Sequence, residues 1–479
     1  MPLWPTAFPF STEYDPAEDP PGSIDPLGTL SCAERLADLL FPGFTARMYR
    51  LRLLTIAVVA AAVAERVAEG AEDGDGARLG ARLAFERLVV AALVRQRVQG
   101  VLPPVATRRL PGSYLAQQAL SAKEPLTPAN FLRGQAVNGA SGVIMRLARN
   151  LRLLDDRGAM TGLGRELLLI WANEQRLRGV LDEPGDSQRL GAEWMRDVAK
   201  AASSNVSDGI WPGPGQNLWD RLAGPLRLDG ADVGERAFLR TQLMSGSPVR
   251  ARMLELLSEP NVASIFDASQ DGDRGTAERG TLTKGLRPRL TDEPIDLLIR
   301  VTIDSIDRYE RVTGLLQQMF DSLSWALKHR GGRALLGSLL LDPRVEDALR
   351  RGLASLRLAV EALRSSAADL ASAPGFQDSD ALEALHTLLD DAGRTLGAPE
   401  QALDAIMTRH ERVQKQKRKA NWIERDGGRW TLMPGRGYDG ELPPSEREAY
   451  LHPFRVENAY AFLADMNGVG GQVFNGEIE

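Results

Sequence analysis

The sequence of 479 residues holds one cysteine, four histidines and seven lysines, and each scarcity removes a class of chemistry. With Cys32 alone, no intramolecular disulfide framework and no cysteine-built zinc or iron–sulfur site can form, which fits a reducing cytoplasm. His329, His386, His410 and His452 include no close pair and no HxxxH spacing, so no metal is expected. Aromatic residues make up only 6%, and stretches of Ala, Leu, Arg and Glu dominate, which favours helices over a sheet-based core. The longest uncharged apolar run, 53–64, has 12 residues, short of the roughly 20 that cross a bilayer, so no membrane partner is expected. The N-terminus has no basic region and carries Pro2, Pro5 and Pro9, which is unlike a secretory signal and predicts a cytoplasmic protein. GxxxxGK[ST] phosphate loops and GxSxG elbows are both missing, and Gly213-Pro214-Gly215 lacks the strand–turn–helix context of a dinucleotide loop. Neither an enzyme nor a cofactor is expected from these absences.

Charge is present in quantity and nearly balanced: 58 basic against 64 acidic residues, a net of −6. Glu13, Asp15, Glu18, Asp19 and Asp25 fall within residues 1–31 without one basic residue. The rest of the chain is therefore close to neutral, and any case for nucleic acid rests on local patches.

The hydrophobic patterning predicts a mainly α protein: multi-domain helical bundles, one long coiled-coil-like helix and a small C-terminal β-hairpin. Composition shifts divide the chain into an acidic Pro-rich tail (1–29), an N-terminal helical domain (30–125) and a helical domain with a helix-turn-helix-like module (126–266). A Gly-rich linker (267–293), a long-helix bundle (294–410) and a region of basic cluster, hairpin and last helix (411–479) follow. Ser31 with Glu34 reads as a capping box opening the first helix, and Phe41-Pro42-Gly43 ends it. Val345, Leu349, Leu353, Leu356, Val360, Leu363, Ala367 and Leu370 step by three and four after an Asp342-Pro343 start, which resembles a coiled-coil seam within or between chains. A hairpin with its turn at Asp426-Gly427-Gly428 is expected near Trp422 and Trp430.

Two basic constellations stand out. Three of the seven lysines, Lys415, Lys417 and Lys419, lie within five residues, beside Arg412 and Arg418. With the Trp422 indole for stacking, they could hold nucleic-acid phosphates; the plainer reading is a solvated helix end favoured by the macrodipole. Arg146, Arg149 and Arg152 repeat every third residue in a helix expected over 142–153, either as the DNA face of a recognition helix or as an ordinary amphipathic surface. Adjacent carboxylates such as Asp155 and Asp156, or Asp390 and Asp391, would not converge on one atom.

Asp38-Leu39-Leu40-Phe41-Pro42-Gly43, followed by Thr45, Arg47, Tyr49, Arg50 and Arg52, resembles the opening of a bacterial phage-defence-island family of unknown function. Tyr309 to Phe320 and His410-Glu411-Arg412 to Trp422 are loosely similar too. The family has no established catalytic residue to carry over. The resemblance implies a component of an anti-phage defence system, an adaptor or DNA-engaging subunit beside a separate helicase, motor or nuclease. A protein-only scaffold and a metal-dependent nuclease using His410 and His452 are the alternatives. In the LFPG turn, Leu39, Leu40 and Phe41 are expected to bury, with Arg47 and Arg50 exposed.

Overall fold

A computed structural model describes residues 25–69, 74–132, 135–181, 190–206, 210, 217–269, 274–373, 376, 379–433 and 449–468. Expectations for residues 1–24 and 213–215 lie outside this range. The fold is mainly α: among the described residues there are nineteen α-helices and one three-stranded antiparallel sheet. No described helix is long and apolar enough to cross a membrane.

The chain forms two compact units, each assembled from three stretches: 1–36, 273–279 and 300–452 in one, and 37–272, 280–299 and 453–479 in the other. Neither follows consecutive boundaries such as 30–125 and 126–266, because glycine and proline mark the ends of helices rather than the edges of cores. The expected linker 267–293 holds, among its described residues, a helix (Arg274–Gly280), a π-helical turn (Thr281–Leu286) and a 3-10 turn (Arg287–Arg289). Ala277, Thr281, Leu282 and Leu286 are buried. Gly275 marks close packing there: a Cβ on it would lie 2.1 Å from the Tyr450 carbonyl oxygen.

In the second unit, Arg52–Ala68 is the central helix, packed on Gly74–Val98, Ala140–Asn150, Gly162–Glu174 and Leu190–Ser204. Its Ala/Val run is buried on nearly every side, as expected of a helix with small apolar residues all round. The preceding residues 45–51 lie outside any helix, in turns and irregular backbone. The LFPG turn behaves as core: Phe41 is buried and Gly43 takes φ +86°. Arg50, expected to be exposed, is buried; its Nε lies 3.1 Å from the Asp465 carboxylate, which also accepts the Leu51 amide at 2.9 Å. Arg52 pairs with Glu235, both side chains fully buried, and donates to the Gly230 carbonyl at 2.9 Å.

In the first unit the helix Pro343–Ser372 opens as expected, with the Asp342 side chain accepting the Arg344 amide at 3.1 Å. Its apolar stripe is spent inside the unit, against Asp380–Arg394 and Pro399–Lys417, and Gly352 faces Met319. A step of three and four fits a bundle face as well as a coiled-coil seam, and a bundle face is what forms. The hairpin is β2 (Ile423–Asp426) and β3 (Arg429–Leu432) around Gly427 and Gly428, both with positive φ. The strand β1 (Arg333–Leu335) adds to β3, giving the order β1-β3-β2. The Asp25 carboxylate accepts the Thr29 and Leu30 amides at 2.8 and 3.1 Å at the start of the helix Leu30–Leu40.

The helix Ala140–Asn150 is capped from another helix. Buried Glu86 accepts the Ala140 and Ser141 amides at 2.8 and 3.2 Å. Burial pushes its carboxyl up to about 7, against the opposing pull of those amides. The folded state therefore holds this proton more tightly than the unfolded chain, whose value is 4.5. The stabilising contribution is complete below that value and is lost as pH rises through about 7. Relative to Glu86→Gln, the wild-type protein is expected to lose roughly 3 kcal/mol of stability between pH 4.5 and pH 8. Denaturant titrations of both proteins across that range check this, and a difference independent of pH would refute it.

Candidate nucleic-acid interface

Pro399–Lys417 carries the candidate site, and its sequence explains why it is a helix. Pro399 occupies N1, and the Gln401 side chain accepts the Ala398 amide at 3.2 Å. Ala402, Leu403, Ile406, Met407, His410, Val413 and Gln414 form the buried stripe. At its end Lys419 N donates to Gln414 O at 2.9 Å and Arg418 N to Lys415 O at 3.1 Å, a Schellman closure with Arg418 in the left-handed region at φ +54°. Lys123, Arg152 and Arg176 close their helices in the same way.

The basic cluster is divided by its partners. Arg412 donates twice to Asp391 on the helix Asp380–Arg394, with Nη1 at 3.0 Å, and these bonds hold its guanidinium above the usual value. Lys417 Nζ lies 3.0 Å from Asp25 Oδ2 and 2.8 Å from the Asp25 carbonyl. Lys415 and Arg418 are exposed and Lys419 is half-buried, and none of the three makes an ion pair among the described residues. These three charges are free to face solvent phosphates.

Trp422 is not presented as a stacking platform. It is half-buried, with its ring centroid 6.2 Å from that of Phe320, and its amide donates to His410 Nε2 at 2.9 Å. A backbone N–H can only donate and a carbonyl only accept, so His410 carries its proton on Nδ1 and gives it to the Pro26 carbonyl at 2.9 Å. Burial lowers the His410 pKa. With both nitrogens committed, His410 has no lone pair for a metal or a reacting proton.

His452 joins a buried chain: Nδ1 is 2.5 Å from Glu310 Oε1, Nε2 is 3.0 Å from Thr29 Oγ1, and Thr29 Oγ1 is 3.2 Å from Asp25 Oδ1. The order of hydroxyl, imidazole and carboxylate is that of a hydrolase triad. All three members are buried, and Glu310 also accepts the His452 amide at 3.3 Å, so the chain ties backbone segments together. Among the described residues no group of three His, Cys, Asp or Glu side chains could hold a metal.

The second constellation is dispersed. The first helix of the expected helix-turn-helix shrinks to Gln135–Asn138, with turns over 127–131. Arg146 and Arg149 are exposed on Ala140–Asn150, but Arg152 lies beyond its end at φ +56°. Arg146 pairs with Asp38 at 2.7 Å and Arg149 donates to the Asp155 carbonyl at 3.3 Å. The helix stops because Leu153 N returns to Ala148 O at 2.9 Å, and a three-residue rhythm in sequence carries no sign of that stop.

Sequence reasoning missed the residues that flank the cluster. Asp380–Arg394 and Pro399–Lys417, with Leu336, line an open cleft of about 640 Å³. There Arg409 and Arg412 donate to Asp391, and Arg394 stands 3.9 Å from it. Arg409 and Arg412, three apart on one helix, were the available signal; the carboxylate they share was not. No protein-family model, curated protein or solved structure matches this chain.

Arg418 gives a test of the local geometry. A left-handed conformation costs a non-glycine residue about 1–2 kcal/mol, more than the roughly 0.3–1 kcal/mol a cation gains at a helix C-terminus. Arg418→Gly is therefore expected to raise stability by about 0.5–1 kcal/mol. A fall in the denaturation midpoint would show that the arginine side chain holds the helix end in some other way.

Proposed function

We propose that this protein is a cytoplasmic, nucleic-acid-engaging subunit of a bacterial anti-phage assembly, an adaptor beside a separately encoded helicase, motor or nuclease. The defence setting rests on the resemblance carried by residues 38–52. The nucleic-acid contact rests on one observation: Lys415, Arg418 and Lys419 lie at one helix end with no ion pair among the described residues. Meeting a phosphate costs these three cations only water and counter-ions. Because the Trp422 ring packs on Phe320, binding is electrostatic and indifferent to sequence.

A protein-only scaffold is the second reading. It is favoured by the large exposed apolar side chains of the first unit, among them Leu335, Leu341 and Leu358. The nuclease reading is disfavoured by His410, whose two nitrogens are both committed to backbone groups.

Duplex and single-stranded DNA titrated across a salt series separates the first two readings. Three phosphate contacts predict a log–log slope of about −2 to −3. The variant carrying Lys415→Gln, Arg418→Gly and Lys419→Gln is expected to flatten that slope towards zero while remaining folded. Absence of binding by the wild-type protein, or binding that the variant retains in full, would contradict the nucleic-acid reading.

A further inference from the structure

We propose that the cleft between Asp380–Arg394 and Pro399–Lys417 is a binding site for a terminal phosphate monoester, with the nucleoside it carries lying along the cleft. This deepens the nucleic-acid reading above and rests on it for the source of the ligand, though the cleft can be tested without it.

Arg394, Arg409 and Arg412 surround the one carboxylate of Asp391, at 3.9 Å for Arg394 and in direct hydrogen bonds for the other two. One carboxylate cannot neutralise three guanidiniums, so positive charge exceeds negative around Asp391, while Glu400 and Asp404 bring the lining as a whole to balance. A phosphate monoester carries roughly −1.5 to −2 near neutral pH, while an internal phosphodiester carries one charge. The monoester is the better electrostatic match.

The Arg409 side chain is only 9% exposed and is held from two sides, by Asp391 and by the Leu27 carbonyl, to which Nε donates at 2.7 Å. Arg412 is fixed on Asp391 through two of its nitrogens. Guanidiniums already ordered by a buried carboxylate surrender little side-chain entropy when an oxyanion arrives. Arg394, 70% exposed, is the one free to swing over the ligand.

Thr408, Asp404 and Glu400 also line the cleft, one to three turns before Arg412 on the same helix, and Asp404 is held by Arg425. Hydroxyl and carboxylate oxygens accept hydrogen bonds from sugar hydroxyls and base N–H groups. The same carboxylates repel a second phosphate, so a monophosphate end is favoured over a polyphosphate. A volume of about 640 Å³ exceeds what a bare phosphate needs and lies in the range of small-ligand sites. Lys415 and Lys419 follow Arg412 on the chain and are not among the residues that line the cleft.

The test uses the full-length protein and four probes: one oligonucleotide carrying a 5′-phosphate, a 3′-phosphate or neither, and a nucleoside 5′-monophosphate. Affinity is read by anisotropy for the strands and by calorimetry for the nucleotide. A terminal phosphate is expected to strengthen strand binding about tenfold or more. Arg394→Gln and Arg412→Gln erase that difference; Lys415→Gln with Lys419→Gln weakens all strands alike. Arg394 is largely exposed, so its substitution spares the fold even where Arg412→Gln leaves Asp391 partly unpaired. Binding of the mononucleotide without any strand binding upholds the cleft and rejects the nucleic-acid reading. Equal affinity for phosphorylated and unphosphorylated strands, with no mononucleotide binding, overturns the cleft and leaves the nucleic-acid reading standing. A phosphate preference untouched by Arg394→Gln and Arg412→Gln also overturns it.

Discussion

Guanidinium–carboxylate pairs withdrawn from water are the interaction on which both compact units depend. Arg52 with Glu235 and Arg50 with Asp465 tie distant segments of one unit, and Arg409 with Asp391 ties two helices of the other. A buried pair of this kind adds little net stability, because desolvation offsets most of the attraction. Its force lies in what happens when one member is missing: about 3–5 kcal/mol is lost to the stranded charge. A chain with 51 arginines, seven lysines and only 6% aromatics thus specifies its helix contacts through ionic matching as much as through large apolar side chains.

The same pairing decides which charges remain for binding. Lys417 pairs with Asp25 and Arg412 with Asp391, so three of the five cations in the sequence cluster carry no ion pair among the described residues. Asp391 in turn holds more guanidiniums than it can neutralise. Positive charge is therefore concentrated around Asp391 and at the helix end, two places joined by one helix. Arg146 is paired with Asp38 and Arg152 is off its helix, so the second basic stretch presents no comparable surplus.

Local chemistry was legible in the sequence wherever the signal and its consequence lie within a few residues. Asp342-Pro343 opened a helix, Phe41-Pro42-Gly43 closed one, and Gly427-Gly428 turned a hairpin. The strand β1 was not legible, since three residues pairing with a strand nearly a hundred positions away leave no periodicity. Glycine misled at 275, where it marks backbone contact with Tyr450 rather than a linker. The site was legible by half: lysine scarcity exposed the cluster, but Asp391 looked inert beside Asp390, and the burial of Trp422 follows from Phe320, a hundred residues earlier.

Under the proposed function, phosphate meets this protein at the end of Pro399–Lys417. A photoreactive oligonucleotide, cross-linked to the full-length protein and mapped by peptide mass, locates the contact directly. Adducts on peptides within 391–425 are the outcome this account predicts. Adducts confined to 135–152, or spread without preference over the chain, would contradict it.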